Sequence, residues 1–181
     1  MNKLIKDAIF GAIGGLAGTL VIGQAMKVLS KLQPEEDRQL EQRLIREPPT
    51  EKLVKNVIED ALGVEIPGET RTKLGQAVQL GYGISWGAIY GVMRNRYPAI
   101  ATAGGLPFGA GLSILGWTVL LPIFNLTPAP HKLPASTHLT GLVSHYAYAA
   151  TVEGTCELCE VIDRKVTTEP ARTKTELRRV S

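Results

Sequence analysis

Gly105-Leu106-Pro107-Phe108-Gly109-Ala110-Gly111-Leu112-Ser113-Ile114-Leu115-Gly116-Trp117-Thr118-Val119-Leu120-Leu121 is the centre of a run, Tyr97 to His131, that contains no Asp, Glu, Lys or Arg. Crossing a bilayer core takes about 20 mostly apolar residues in a helix. This run exceeds that length, with room for tilt or a bend. Three further runs also lack charge: Ala8–Met26, Leu74–Met93 and Leu133–Val152. All 20 Lys and Arg and all 17 Asp and Glu fall outside the four.

Chain averages hide this pattern. The charged fraction of 20% is ordinary and the mean hydropathy barely positive. A soluble amphipathic helix keeps a charged face toward water, so its charges recur every turn or two. These four runs have no such face. The competing reading is a buried soluble bundle, but its polar connectors are too short to cover four uncharged helices. The sequence therefore predicts an all-α fold: four transmembrane helices with an amphipathic surface helix between spans 1 and 2. The spans are placed at about 8–26, 74–93, 99–124 and 136–152. Residues 27–73 form the polar connector, residues 1–162 one membrane domain, and 163–181 a disordered charged tail.

Glycine spacing supplies the packing expectation. In the first span Gly11/Gly15 and Gly14/Gly18 are four apart, and in the second Gly83, Gly87 and Gly91 repeat the step. Small residues at this spacing let helix backbones approach closely in lipid. Such a glycine zipper predicts helix-packing faces, through which a homo-oligomer could form. The weaker alternative is poor helix formation, since each Gly costs about 1 kcal/mol against Ala. The first run also has some marks of a cleaved signal peptide, but it continues without a break into Lys27-Val28.

The connector holds two helix signals. Pro34 precedes the acids Glu35, Glu36 and Asp37, which suit a helix N-terminus. After Pro48-Pro49, Thr50 precedes Glu51–Leu62, with Leu53, Val54, Val57, Ile58, Ala61 and Leu62 on one side. That helix lies on the membrane surface or caps the bundle. Gly63 marks its end. Trp86 is read as packed between helices, and Tyr90 and Tyr97 as headgroup-level anchors. Pro107 is expected to kink the third span and act as a hinge. Basic residues divide evenly between the two sides, so charge asymmetry does not fix orientation. The short Arg94/Arg96 turn favours both termini inside.

Candidate chemistry is sparse. His138 and His145 lie near one face of the last span, and an ionisable group at the depth of His145 is a functional candidate. It could relay protons or ligate a metal or haem. Its plainer role is a neutral ring bonded between helices. Cys156, Cys159, Glu160 and Asp163 share one helix face, a set that could hold a metal but more often reflects small buried thiols. No catalytic residue, cofactor or resident metal is assigned. No phosphate loop, dinucleotide fingerprint, nucleophile elbow or HExxH occurs. Basic residues do not cluster with aromatics, so no nucleic acid is expected as partner; the bilayer is.

Residues Gly11-Ala12-Ile13-Gly14-Gly15-Leu16-Ala17-Gly18-Thr19, the proline-bearing connector, Leu120-Leu121-Pro122-Ile123-Phe124-Asn125-Leu126-Thr127-Pro128 and His145 together resemble the YagU-like family of small bacterial inner-membrane proteins. The resemblance covers most of residues 8–160. It implies a multi-pass bundle in the bacterial inner membrane, of no established molecular activity, and carries over no catalytic residue. Three functions stay open: a non-catalytic membrane bundle with a structural or interaction role, a small-solute or proton permeation protein using His145, Pro107 and polar Gln positions, and a haem- or metal-binding redox protein.

Overall fold

The charge-free runs lie largely within helical stretches of the chain. The computed structural model describes residues 2–60 and 62–180, with side chains through 167. Helix α1 is Lys3–Leu32, α2 Glu35–Leu44, α3 Pro49–Val54, α4 Gly68–Arg94, α5 Thr102–Ser113, α6 Leu121–Ile123 and α7 Ala135–Val180. Wide-turn π-helical segments extend α3 over Lys55–Asp60 and join α5 to α6 over Ile114–Leu120. The described residues contain no strand.

Helix α1 lies between α4 and α7 and contacts both along its length; α5 covers α7. The glycines explain how α1 fits. A methyl group added at Gly11 would fall on the Gly87 carbonyl and Gly91 Cα, and one at Gly15 on the Gly83 carbonyl. One at Gly14 would stand 3.0 Å from the Val152 backbone, and one at Gly18 would stand 2.7 Å from the Tyr148 ring. The two glycine pairs of α1 thus address different neighbours, Gly11/Gly15 facing α4 and Gly14/Gly18 facing α7. These faces are filled within the chain.

Two helices are long and apolar enough to cross a membrane, Lys3–Leu32 and Pro98–Ile123. That is fewer than the four expected. Helices α4 and α7 contain the other two charge-free runs, but Gln76, Gln79, Tyr82 and Ser85 in α4, and Ser, Thr and His in α7, dilute their hydropathy.

The third run differs from expectation in shape. Ala103, Gly104 and Gly105 all have positive φ, at 50, 67 and 81°. The chain therefore breaks there, and Pro107 stands in the first turn of the helical stretch that follows. Its missing N–H is no loss in a first turn, so the expected kink belongs to Ala103–Gly105 and not to Pro107. Helix α7 runs as one helix from Ala135 to Val180.

The connector docks at the opposite end from the chain start. Val54 is buried, Glu51 packs on Gly75, and Arg71 bonds Glu59 at 2.7 Å, which fixes α3 and its extension on the first turns of α4. Helix α2 meets the start of α7, where Ser136 donates to Asp37 at 2.7 Å and Thr137 to Glu41 at 2.6 Å. Acids there also face the positive end of the α7 dipole.

Candidate functional site

The buried core is small and aromatic: Tyr90, Phe108, Leu112, Tyr148, Ala149, Val152 and Cys156. Trp86 packs edge-on against Tyr82 and Phe108, between helices. Tyr90 is 0% exposed, so it is a core residue and not the headgroup anchor expected of it. Burying its hydroxyl requires a partner. That partner is Glu153, which accepts from Tyr90 Oη at 2.5 Å.

Glu153 is the centre of the most desolvated charge cluster. Helices α4 and α7 run in the same direction, so the first charged residues after their charge-free runs, Arg94 and Glu153, reach the same level. Arg94 Nε donates to Glu153 Oε2 at 2.8 Å and a terminal nitrogen to Oε1 at 2.6 Å, a bidentate grip. The other terminal nitrogen of Arg94 donates to Glu160 at 2.6 Å. One helix turn further along, Lys6 holds Asp163 at 2.6 and 2.8 Å, tying α1 to α7. Burial works against the Arg94 charge, but the hydrogen bonds and charge of Glu153, with Glu160, more than offset it and hold the guanidinium above the ordinary arginine value.

This geometry leaves little for chemistry. Glu153 accepts three hydrogen bonds, two of them on Oε2 and one on Oε1, all from Tyr90 and Arg94. Glu160 and Asp163 are engaged by cations. Cys156 is buried beside them, and burial pushes its thiol up to about 12, so it is no nucleophile near neutral pH. Cys159 is half-buried. Among the described residues no three His, Cys, Asp or Glu converge as a metal ion would need. The face formed by Cys156, Cys159, Glu160 and Asp163 thus reads as an ion-pairing face.

The histidines are not brought together. His138 Nε2 donates to the Pro130 carbonyl at 2.9 Å, and His145 Nδ1 to the Gly141 carbonyl one turn back at 2.7 Å. Among the described residues, neither bonds a side chain of another helix. Glycines Gly83, Gly87 and Gly91 line the α1 contact, and Tyr148 donates to the Gly83 carbonyl at 2.5 Å.

Sequence reading did not single out Tyr90, Arg94 and Glu153 as a unit. The available signal was that Arg94 and Glu153 directly follow two charge-free runs of equal length, whose ends coincide if the helices are parallel. No curated protein and no solved structure matches the chain. A family model matches residues 41–154, a stretch that includes Tyr90, Arg94 and Glu153 but not α1 or Glu160. The chain therefore belongs to DUF1440, a family of proteins of unknown function.

Proposed function

We propose that the chain is a non-catalytic membrane bundle whose four long helical segments all cross the bilayer, with a structural or interaction role in a bacterial inner membrane, as the YagU-like resemblance implies. One observation carries the reading: large apolar side chains line the outside of the helices. Ile5, Ile9, Ile13, Leu16 and Leu20 of α1 are exposed, as are Val78 and Ile89 of α4, Leu106, Ile114 and Ile123 of the third run, and Leu139 and Val143 of α7. Inside, only a small apolar core is buried, and beside it the helices meet through glycine, hydroxyl groups, tyrosine and an ion pair. Water would oppose this arrangement, since large contiguous apolar surface is rare on soluble monomers. Lipid favours it, because close backbone packing and interhelical hydrogen bonds hold helices together there.

The connector fits an interfacial position. Val54 faces α4 while Val57, Leu62 and Val64 remain exposed, a partial apolar face at the level of the helix ends.

Topology tests the reading. With Cys156 and Cys159 replaced by Ser, single cysteines at Thr50 and Asn95 are labelled with an impermeant maleimide in intact and opened cells. Four crossings put the two on opposite sides. Labelling from the same side, or recovery of the chain without detergent in the supernatant, would refute it.

A further inference from the structure

We propose that the cleft between the start of α1 and the end of α4 seats the phosphodiester headgroup of an anionic phospholipid. The inference rests on the membrane reading above. The cleft has a volume of about 440 Å³ and is lined by Lys3, Leu4 and Asp7 on one wall and Val92, Asn95 and Arg96 on the other, with Asn2 at its edge. It lies where α1 begins and where the charge-free run of α4 has just ended, which is headgroup depth for these helices.

Charge accounting favours an anion. Of the cations at this end, Arg94 is engaged by Glu153 and Glu160, and Lys6 by Asp163. Asp7 lies in the cleft, but Lys3 holds it at 2.8 Å. Arg96 is exposed and makes no ion pair among the described residues. The cleft therefore carries one net positive charge, matching a phosphodiester monoanion. The adjoining helix ends, the start of α1 and the finish of α4, have opposite partial charges and largely offset each other, so selection depends on Lys3 and Arg96. Leu4 and Val92 add apolar surface to the two sides of the cleft, a wall on which the upper part of an acyl chain can lie. A soluble phosphate has no use for that wall, whereas a lipid does. Basic pockets between membrane helices are suited to acidic headgroups for these reasons.

The experiment titrates the purified full chain in micelles with phosphatidylglycerol, phosphatidylcholine and phosphatidylethanolamine and reads the first bound lipid by native mass spectrometry. Phosphatidylglycerol binds first and most tightly. Arg96→Ala weakens that first site about fivefold, the contribution of one cation near a membrane surface. Lys3→Ala weakens it further, because Asp7 then faces the phosphate without its partner. Arg96→Lys retains most of the preference, and Lys132→Ala, at the other end of the bundle, changes nothing. Arg96 is exposed, so its variants should melt as the parent does.

Equal binding of the three lipids, or a preference untouched by Arg96→Ala, overturns the proposal. So does displacement of the lipid by glycerol phosphate, which would make this a soluble-phosphate site. Flotation with liposomes separates the two levels of inference. A chain that floats but shows no headgroup preference refutes this cleft alone, whereas a chain that fails to float refutes the membrane reading.

Discussion

Arg94 and Glu153 face each other across α4 and α7 through two hydrogen bonds of 2.8 and 2.6 Å, with side chains 10% and 9% exposed. Desolvating both charges is expensive, and replacing such a pair with well-packed apolar residues is often neutral or stabilising. Removing only one partner strands the other. Arg94→Ala or Glu153→Ala should therefore destabilise by about 3–5 kcal/mol, and the double replacement Arg94→Met with Glu153→Leu should be milder than either. Thermal unfolding of the detergent-solubilised chain, followed by helical circular dichroism, measures both. Additive losses in the double variant would mean that the pair does not act as one unit.

Glycine substitutions should divide by location. Gly87 meets Gly11 and Gly15 so closely that an added Cβ would collide with α1 backbone, and backbone cannot move as a side-chain tip can. Gly87→Ala and Gly11→Ala should each destabilise by about 1–3 kcal/mol, the usual range for overpacking. Gly23 and Gly111 have nothing within 4 Å of an added Cβ. Alanine there should be neutral or stabilise by up to about 1 kcal/mol, its advantage in helix propensity. The same unfolding assay applies, and a uniform response at all four positions would contradict the packing described.

Much of this arrangement can be read from the sequence, but unevenly. Charge exclusion locates the helices, since it depends only on local composition, and four-residue glycine spacing shows that α1 and α4 have close-contact faces. Spacing does not show that Gly11/Gly15 and Gly14/Gly18 serve different helices, because adjacent lines on a helix surface differ by a small rotation that only packing resolves. Arg94 and Glu153 are 59 residues apart, so no local pattern links them. Pro107 is the more conspicuous breaker, but the break lies at Ala103–Gly105. Gly104 and Gly105 are the residues that tolerate positive φ, and their adjacency is its signal in the sequence. The depth of His145 is legible in the sequence, whereas its bond to the Gly141 carbonyl, within its own helix turn, is not.

The two cysteines should react differently. Cys156 is 1% exposed, and burial pushes its thiol up to about 12, from an ordinary value near 9. Only thiolate reacts appreciably with maleimides. In the folded chain Cys159 should label first, with Cys156 labelling only as the protein unfolds. The sign of the linked stability follows from the raised value. The folded state keeps its proton more tightly than the unfolded state, so this contribution is intact below about 9 and is lost as pH rises toward about 12. Cys156→Ala should show a shallower loss of stability across that alkaline window. Equal labelling of both thiols in the folded chain would contradict the burial.

Ala103 occupies left-handed backbone at φ 50°, with Gly104 and Gly105 following in the same region. A residue with a Cβ is strained there by roughly 1–2 kcal/mol, and glycine is not. The conformation persists because the segment is held from outside: Tyr146 Oη donates to the Ala103 carbonyl at 2.9 Å, and Gly105 lies against Ala149. Ala103→Gly removes the strain and keeps the carbonyl that Tyr146 uses. It should stabilise by up to about 1 kcal/mol, less than the full strain because glycine also adds freedom to the unfolded chain. Tyr146→Phe should destabilise by about 1 kcal/mol by withdrawing that hydrogen bond. The two effects should not add, because the bond restrains the same three residues. A rise in melting temperature for Ala103→Gly would place the strain at this bend, while a fall would mean that the alanine adopts an ordinary helical conformation and that the third run bends elsewhere.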